Sequence, residues 1–273
     1  MTDEKTFNKW FNVFLVVGMT VCLTIACIHN LTSNSGGAGL TSQPWFIILT
    51  SVGALMGVIS TILAANANIL TFVFGLIDVI IFSFTLFDQR IYMLLALHVG
   101  YFIPMEFIGF YQWKKRGGSA SDSTLRTRRL KGVQWLWTAL LFAGVFAVVM
   151  LLRWSLDSGA LARLTGWDWL LSAAQEVNFK DMALDCTMTT ANIVALVLMA
   201  LAFTDQWYLW ILVNISSIIA FSSKLSAGGP ESSYTIAQLL KYIFYLLNSI
   251  NALRIWLKLS RQSGQSPEPA DAV

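Results

Sequence analysis

The sequence predicts an all-α membrane protein. It would hold two parallel three-helix bundles joined by a linker helix, plus an N-terminal helix, with seven or eight transmembrane helices in all. Three observations carry that prediction. Of 273 residues 56% are apolar and only 12% charged, with a mean hydropathy of +0.64, whereas a soluble domain carries about a quarter charged residues. The apolar residues fall into eight long blocks, and three of those blocks recur later in the same order.

The blocks cover roughly 10–29, 46–64, 69–87, 91–113, 133–152, 184–203, 206–223 and 234–258. Each has about the 17–25 residues that cross ~30 Å of hydrocarbon at 1.5 Å per residue. The alternating ten-residue pattern of a membrane barrel is absent from the sequence. Block one follows Lys5 and Lys9, but it is too long for a signal-peptide core. Asn30 to Ser42 offers no persuasive small-x-small cleavage site, so residues 1–45 read as a retained helix with an outer loop. Residues 46–113 form the first triplet. Residues 114–183 hold a basic loop, the linker helix and an outer segment with Trp154, Trp167 and Trp169, which suits a helix lying in the interface. Residues 184–258 form the second triplet. The tail, 259–273, turns Ser-, Gln-, Pro- and acid-rich from Ser263 and is expected to be disordered.

Charge sets the orientation. Lys114, Lys115, Arg116, Arg126, Arg128, Arg129 and Lys131 crowd one connection, and cytoplasmic loops accumulate such cations. Threading eight spans from that loop puts both termini inside. Cys22, Cys27 and Cys186 form no disulfide or metal framework, and His29 and His98 stand alone. The net charge of +3 reflects membrane topology and is no sign of nucleic-acid binding.

The recurrence lies in blocks three and seven. Thr71-Phe-Val-Phe74-Gly-Leu-Ile-Asp78 aligns with Trp207-Tyr-Leu-Trp210-Ile-Leu-Val-Asn214, so Thr71 meets Trp207 and Asp78 meets Asn214. Each copy follows a tight turn, Ala65–Asn68 or Thr204–Asp205. Each precedes a helix running from a tyrosine to a tryptophan, Tyr92 to Trp113 and Tyr234 to Trp256. One helix between two triplets gives both the same orientation, a parallel repeat of the kind found in SWEET sugar transporters.

Polar residues inside spans cost roughly 2.5–3.5 kcal/mol on insertion scales and so face a bundle interior. Asp78, Glu106, Asp185, Asn192, Asn214, Asn248 and Asn251 are of this kind. Asp185 also reads as an ordinary interfacial helix start. Pro104 should kink the helix that carries Glu106. Trp207 and Trp210 share a helix face with Asn214 one turn on. They suit either an interface anchor or a stacking surface for a flat, cationic heterocycle.

These motifs resemble the Pnu family of vitamin transporters. The resemblance rests on Trp207-x-x-Trp210 with Asn214, on Asp185-Cys-Thr-Met-Thr-Thr-Ala-Asn192, and on Asn68 to Asp78. Gly109-Phe-Tyr-Gln-Trp113 and Asn251-Ala-Leu-Arg-Ile-Trp256 fit as well, so it spans about residues 46 to 258. It implies a SWEET-like fold and facilitated diffusion of nicotinamide riboside through a bacterial inner membrane. A cytosolic kinase would trap the product, and thiamine, then riboflavin, are the alternative cargoes. It implies a mid-membrane substrate site with Trp207, Trp210 and Asn214, and more weakly Asp185, Asn192 and Asn251. The chain departs from the pattern at Ala195 and Leu196, where some relatives have a glutamine. Glu106 stands where a neutral amide is implied, and a carboxylate there favours a cationic substrate. The vitamin, the bilayer and a second copy of the chain are the partners such a protein can have, and no cofactor is implied.

Two other classes compete. A retinal photoreceptor needs a lysine in its last helix; Lys241 is available, though near the outer end. An enzyme needs a nucleophile and base, and neither H-E-x-x-H nor G-x-S-x-G occurs.

Overall fold

The computed structural model describes residues 2–33, 43–88, 92–121, 125–167, 178–226 and 232–263. These are helical apart from turns and one isolated parallel bridge between Arg128 and Phe203. The helices are α1 (Thr2–Ser33), α2 (Pro44–Ala65), α3 (Thr71–Asp88), α4 (Tyr92–Leu97), α5 (Ile103–Lys115), α6 (Val133–Asp157), α7 (Ala160–Thr165), α8 (Phe179–Ala200), α9 (Gln206–Ser226) and α10 (Ser232–Ser263). One wide π turn, His98–Phe102, joins α4 to α5. It is what Pro104 produces. Proline has no N–H to give, and its ring crowds the carbonyl four residues back. The chain relieves this by widening, so that the Ile103 N–H reaches back to His98 O.

Six helices close into a ring. Neighbours around it are α2, α3, α5, α8, α9 and α10, with α10 returning to α2; among the described residues no two backbones pack together across it. Outside the ring, α1 packs against α2 and α10, while α6 lies along α8. The two seams where the triplets meet carry matched bonds. At the α5–α8 seam the Tyr101 hydroxyl donates to Ile193 O at 2.6 Å and the Trp113 indole to Met199 O at 2.7 Å. At the α10–α2 seam Asn248 Nδ2 donates to Thr61 O and the Trp256 indole to Ala64 O, both at 3.0 Å.

The tight turns preceding α3 and α9 are copies of one another. Ala67 and Ala202 adopt the left-handed conformation at φ 55° and 59°. The next amides bond back across the helix end, Asn68 N to Leu63 O at 2.9 Å and Phe203 N to Leu198 O at 2.8 Å. This is the Schellman way of ending a helix, with alanine where glycine is usual. The spacing between these alanines equals that between Ala64 and Met199, which accept the two indole bonds. That spacing pairs Phe72 with Trp207, one residue from the register in which Thr71 meets Trp207. Asp78 therefore opposes Val213 and not Asn214. Apolar helices slide past one another in sequence without penalty, and only the turns fix the register.

The basic connection is docked, not loose. Asn68 Nδ2 donates to Ala120 O, Arg128 N to Ala202 O, and Thr204 N to Arg128 O, at 2.8–2.9 Å. Asp205, 1% exposed, accepts the Leu130 N–H at 2.7 Å and pairs with Arg129 at 3.7 Å. The segment is a strap across both hairpins. Asp205→Ala would strand the Leu130 amide, at a cost of about 1–3 kcal/mol. We expect trypsin to cut at Arg126 and Arg129 much faster in this variant than in wild type, with Asp205→Asn restoring resistance. Equal cleavage rates would refute the docking.

Arg254 of α10 reaches Asn8 of α1 and covers the Phe7 ring at 5.0 Å. The start of α1 and the end of α10 therefore lie at the same end as the hairpins and the strap. Among the described residues six helices are long and apolar enough to cross a membrane: Thr6–Thr32, Pro44–Ala65, Thr71–Asp88, Leu94–Lys115, Val133–Asp157 and Met182–Ala200. The two other long helices, α9 and α10, carry Asn214, Ser216, Ser217, Asn248, Ser249 and Asn251, all buried. The interfacial helix expected at 153–183 is reduced, among the described residues, to the six-residue α7. Trp154 belongs to α6, and Trp169 and the tail beyond Ser263 lie outside the described residues.

Candidate functional site

Four aromatic rings close the hairpin end of the ring. Phe72 of α3 meets Trp113 of α5 edge-on at 4.9 Å; Trp113 meets Trp256 of α10 at 5.5 Å; Trp256 meets Trp207 of α9 at 6.0 Å. Trp113 and Trp256 are 0% exposed. Edge-on and tilted contacts of this kind are the favoured geometry of aromatic pairs. With the indole bonds to α2 and α8, this plug ties all six ring helices together at one level. Leu125 of the strap packs into the same core.

Trp207 therefore sits in the first turn of α9, at the hairpin end, not at the half-height the resemblance implies. Its indole N–H is buried with no partner among the described residues. Trp210, half-buried one turn further, packs against this core and donates to Gln206 Oε1 at 3.3 Å. Gln206 is fully buried, and its Nε2 has no partner among the described residues.

Beyond the plug the interior is polar. The buried Asn214 donates to Ser249 Oγ at 3.0 Å. Asn251 Nδ2, Asn248 Oδ1, Thr190 Oγ1 and Ser217 Oγ are buried without partners among the described residues. Such groups are costly unless something hydrogen-bonds them. Asp78 is seated against Gly57 of α2, and Glu106 against Gly75 of α3. A Cβ on Gly75 would lie 2.8 Å from Glu106 Oε1, and one on Gly57 would collide with the Asp78 carboxylate.

Two sequence candidates have partners within the chain. Asp185 is exposed and pairs with Arg153 at 3.4 Å, tying α8 to α6 as an interfacial residue would. Asn192 donates to Met188 O one turn back on its own helix, at 2.8 Å. Residues that sequence reasoning left out of the site are Tyr101, Gln206, Asn248 and the two seam tryptophans. Asn248 was visible as a buried amide. Trp113 and Trp256 were visible as matching helix ends and as the last residues of two family-like motifs, without a partner for either. Among the described residues no three His, Cys, Asp or Glu side chains could hold a metal ion.

Comparison with known proteins places this architecture. The sequence profile of the nicotinamide mononucleotide transporter family matches residues 47–258. A nicotinamide riboside transporter PnuC from Neisseria mucosa is 28% identical over 221 residues, 80% of this chain and 75% of that one. The PnuC of Escherichia coli is 26% identical over 234 residues, 84% of this chain and 91% of the other. The crystal structure of the vitamin B3 transporter PnuC shares the fold at a TM-score of 0.60, with 24% identity and 93% of both chains covered. A profile that runs from the first ring helix to the last, over a six-helix ring with a polar interior, leaves one assignment: this chain is a multi-pass membrane protein of the nicotinamide mononucleotide transporter family.

Proposed function

We propose that the chain carries nicotinamide riboside across a bacterial inner membrane by facilitated diffusion. The observation that supports this most is the ring itself, a polar interior sealed at one end by four aromatic rings packed edge-on and tilted. The curated relatives carry the name of a nicotinamide riboside transporter, whereas the family description names the mononucleotide. The two ligands differ by one phosphate, and an interior with Asp78 and Glu106 disfavours added negative charge.

The strap carries the chain's main group of cations, so the hairpin end faces the cytoplasm by the positive-inside rule. Both termini then lie inside. Phe72, Trp113, Trp256 and Trp207 act as the closed inner gate. Alternating access requires the two seams to loosen so that the triplets rock apart. Without an energy source the ligand shifts populations only by its differential affinity for the two states. Phosphorylation of the nucleoside in the cytosol would keep the gradient inward.

Calorimetric titration of the purified protein tests the cargo. Saturable binding is expected for nicotinamide riboside, and little for thiamine or riboflavin. Trp210→Ala should weaken it about 2- to 30-fold, the loss of one ring face against a cation, ~0.5–2 kcal/mol. Preference for thiamine or riboflavin would reassign the cargo, and absence of binding by all three would defeat the proposal.

A further inference from the structure

We infer that Asp78 and Glu106 form a charge filter inside the ring, one that admits a monocation and turns away neutral and phosphorylated counterparts. The inference rests on the transport reading above and adds the residues that set its specificity. Three features of the structure support it.

The first is how the carboxylates are seated. They occupy neighbouring helices, α3 and α5, within electrostatic reach of each other. Each is backed by a glycine on the preceding ring helix, Gly57 behind Asp78 and Gly75 behind Glu106, where a Cβ would collide with it or press against it. The head groups cannot draw back, so each is presented from a fixed position.

The second is what neutralises them. No basic side chain lies within 4 Å of either among the described residues, and Glu106 Oε2 is buried without a hydrogen-bond partner. A carboxylate in such a place is costly until a positive charge arrives. One partial counter-charge comes from α10. Lys241 of α10 is within electrostatic reach of Asp78. Its ammonium is held 5.4 and 5.7 Å from the rings of Tyr242 and Tyr245. Two carboxylates against one ammonium leave a formal charge of one negative. A ligand with a single positive charge completes the balance. An uncharged ligand leaves it open, and a phosphate adds to it.

The third is independent of charge. Lys241, Tyr245 and Asn248 follow one face of α10 at helical spacing. Asn248 is 3% exposed; its Nδ2 is used on Thr61 O, but its Oδ1 has no partner among the described residues. That acceptor lies at the α10–α2 seam, where Leu15 and Met19 of α1 also line the space, and it suits a ligand N–H donor that reaches the seam. A carboxamide attached to a cationic ring offers both features in one small molecule.

The test is a charge series on the intact protein in detergent. Nicotinamide riboside is compared with its neutral 1,4-dihydro form and with nicotinamide mononucleotide, and thiamine with riboflavin as a second cation–neutral pair. Wild type should bind the pyridinium at least tenfold more tightly than the dihydro form or the mononucleotide. Glu106→Gln and Asp78→Asn, which keep shape, should each weaken the cation tenfold or more while leaving the dihydro form within about threefold. Equal wild-type affinity for cation and neutral form would overturn the filter, as would an equal loss for all ligands in both variants. If thiamine binds with this sensitivity and nicotinamide riboside does not, the filter stands and the cargo assignment falls. If no ligand binds, both fall.

Discussion

Trp256→Ala should be among the most destabilising single changes in this protein, at about 3–5 kcal/mol, as for large aromatic-to-alanine changes in cores. The side chain is entirely buried, its indole holds Ala64 O at 3.0 Å, and its ring touches both Trp113 and Trp207. Losing it opens the α10–α2 seam and the middle of the aromatic plug together. Thermal unfolding in detergent should fall by roughly 10 °C or more. Trp256→Phe keeps a ring and removes the indole bond. Ala64 O still accepts the Ala67 N–H at 3.0 Å, so this variant loses about 0.5–1.5 kcal/mol for the bond, plus a smaller packing loss. Trp137 is the control. It is a tryptophan of α6 that is 66% exposed on the outer surface, and its replacement by alanine should leave unfolding unchanged. Equal effects at Trp256 and Trp137 would refute the plug as a structural element.

The second large effect is expected where α3 and α5 come closest. Gly109 leaves no room for a methyl group: a Cβ would enter the ring of Phe72, which is itself locked edge-on against Trp113. Gly109→Ala should cost about 1–3 kcal/mol through overpacking. The strain falls on a plug residue, so the variant should also leak substrate. Gly144, in the middle of α6, has nothing within 4 Å of its Cβ position. There the same substitution should be neutral or should stabilise by up to about 1 kcal/mol, the intrinsic preference of a helix for alanine. Thermal unfolding of the two variants side by side checks the contrast, and a destabilised Gly144→Ala with an unaffected Gly109→Ala would reverse the packing assignment.

The sequence made the long apolar helices and the two tight turns legible, because length and hydropathy report membrane spans directly. The matched turns set the two triplets one residue away from the register the sequence suggested. The match of Asp78 with Asn214 was chemically attractive, whereas the true marker, a left-handed alanine after each helix, is a backbone conformation that alanine does not advertise. The seams were hidden for a related reason. Trp113 and Trp256 bond to the carbonyls of Met199 and Ala64, and any residue type offers a carbonyl. The strap was read correctly as basic, but its docking runs through backbone groups of Ala202 and Thr204. Trp207 and Trp210 were visible as a pair, yet spacing along one helix does not tell which end of a ring the pair will occupy. Glu106 and Asp78 stood out as charges in apolar helices. That they are seated on glycines of the helices before them required the packing.

The central claim is that the ring interior is an uncoupled path for nicotinamide riboside. Uptake of the labelled nucleoside into proteoliposomes without nucleotide or ion gradient tests it most directly. The account predicts saturable entry that stops when inside and outside concentrations are equal, and that proceeds further only when a nucleoside kinase and ATP are enclosed. Accumulation above the outside concentration on imposing a proton or sodium gradient, or no entry at all, would contradict it.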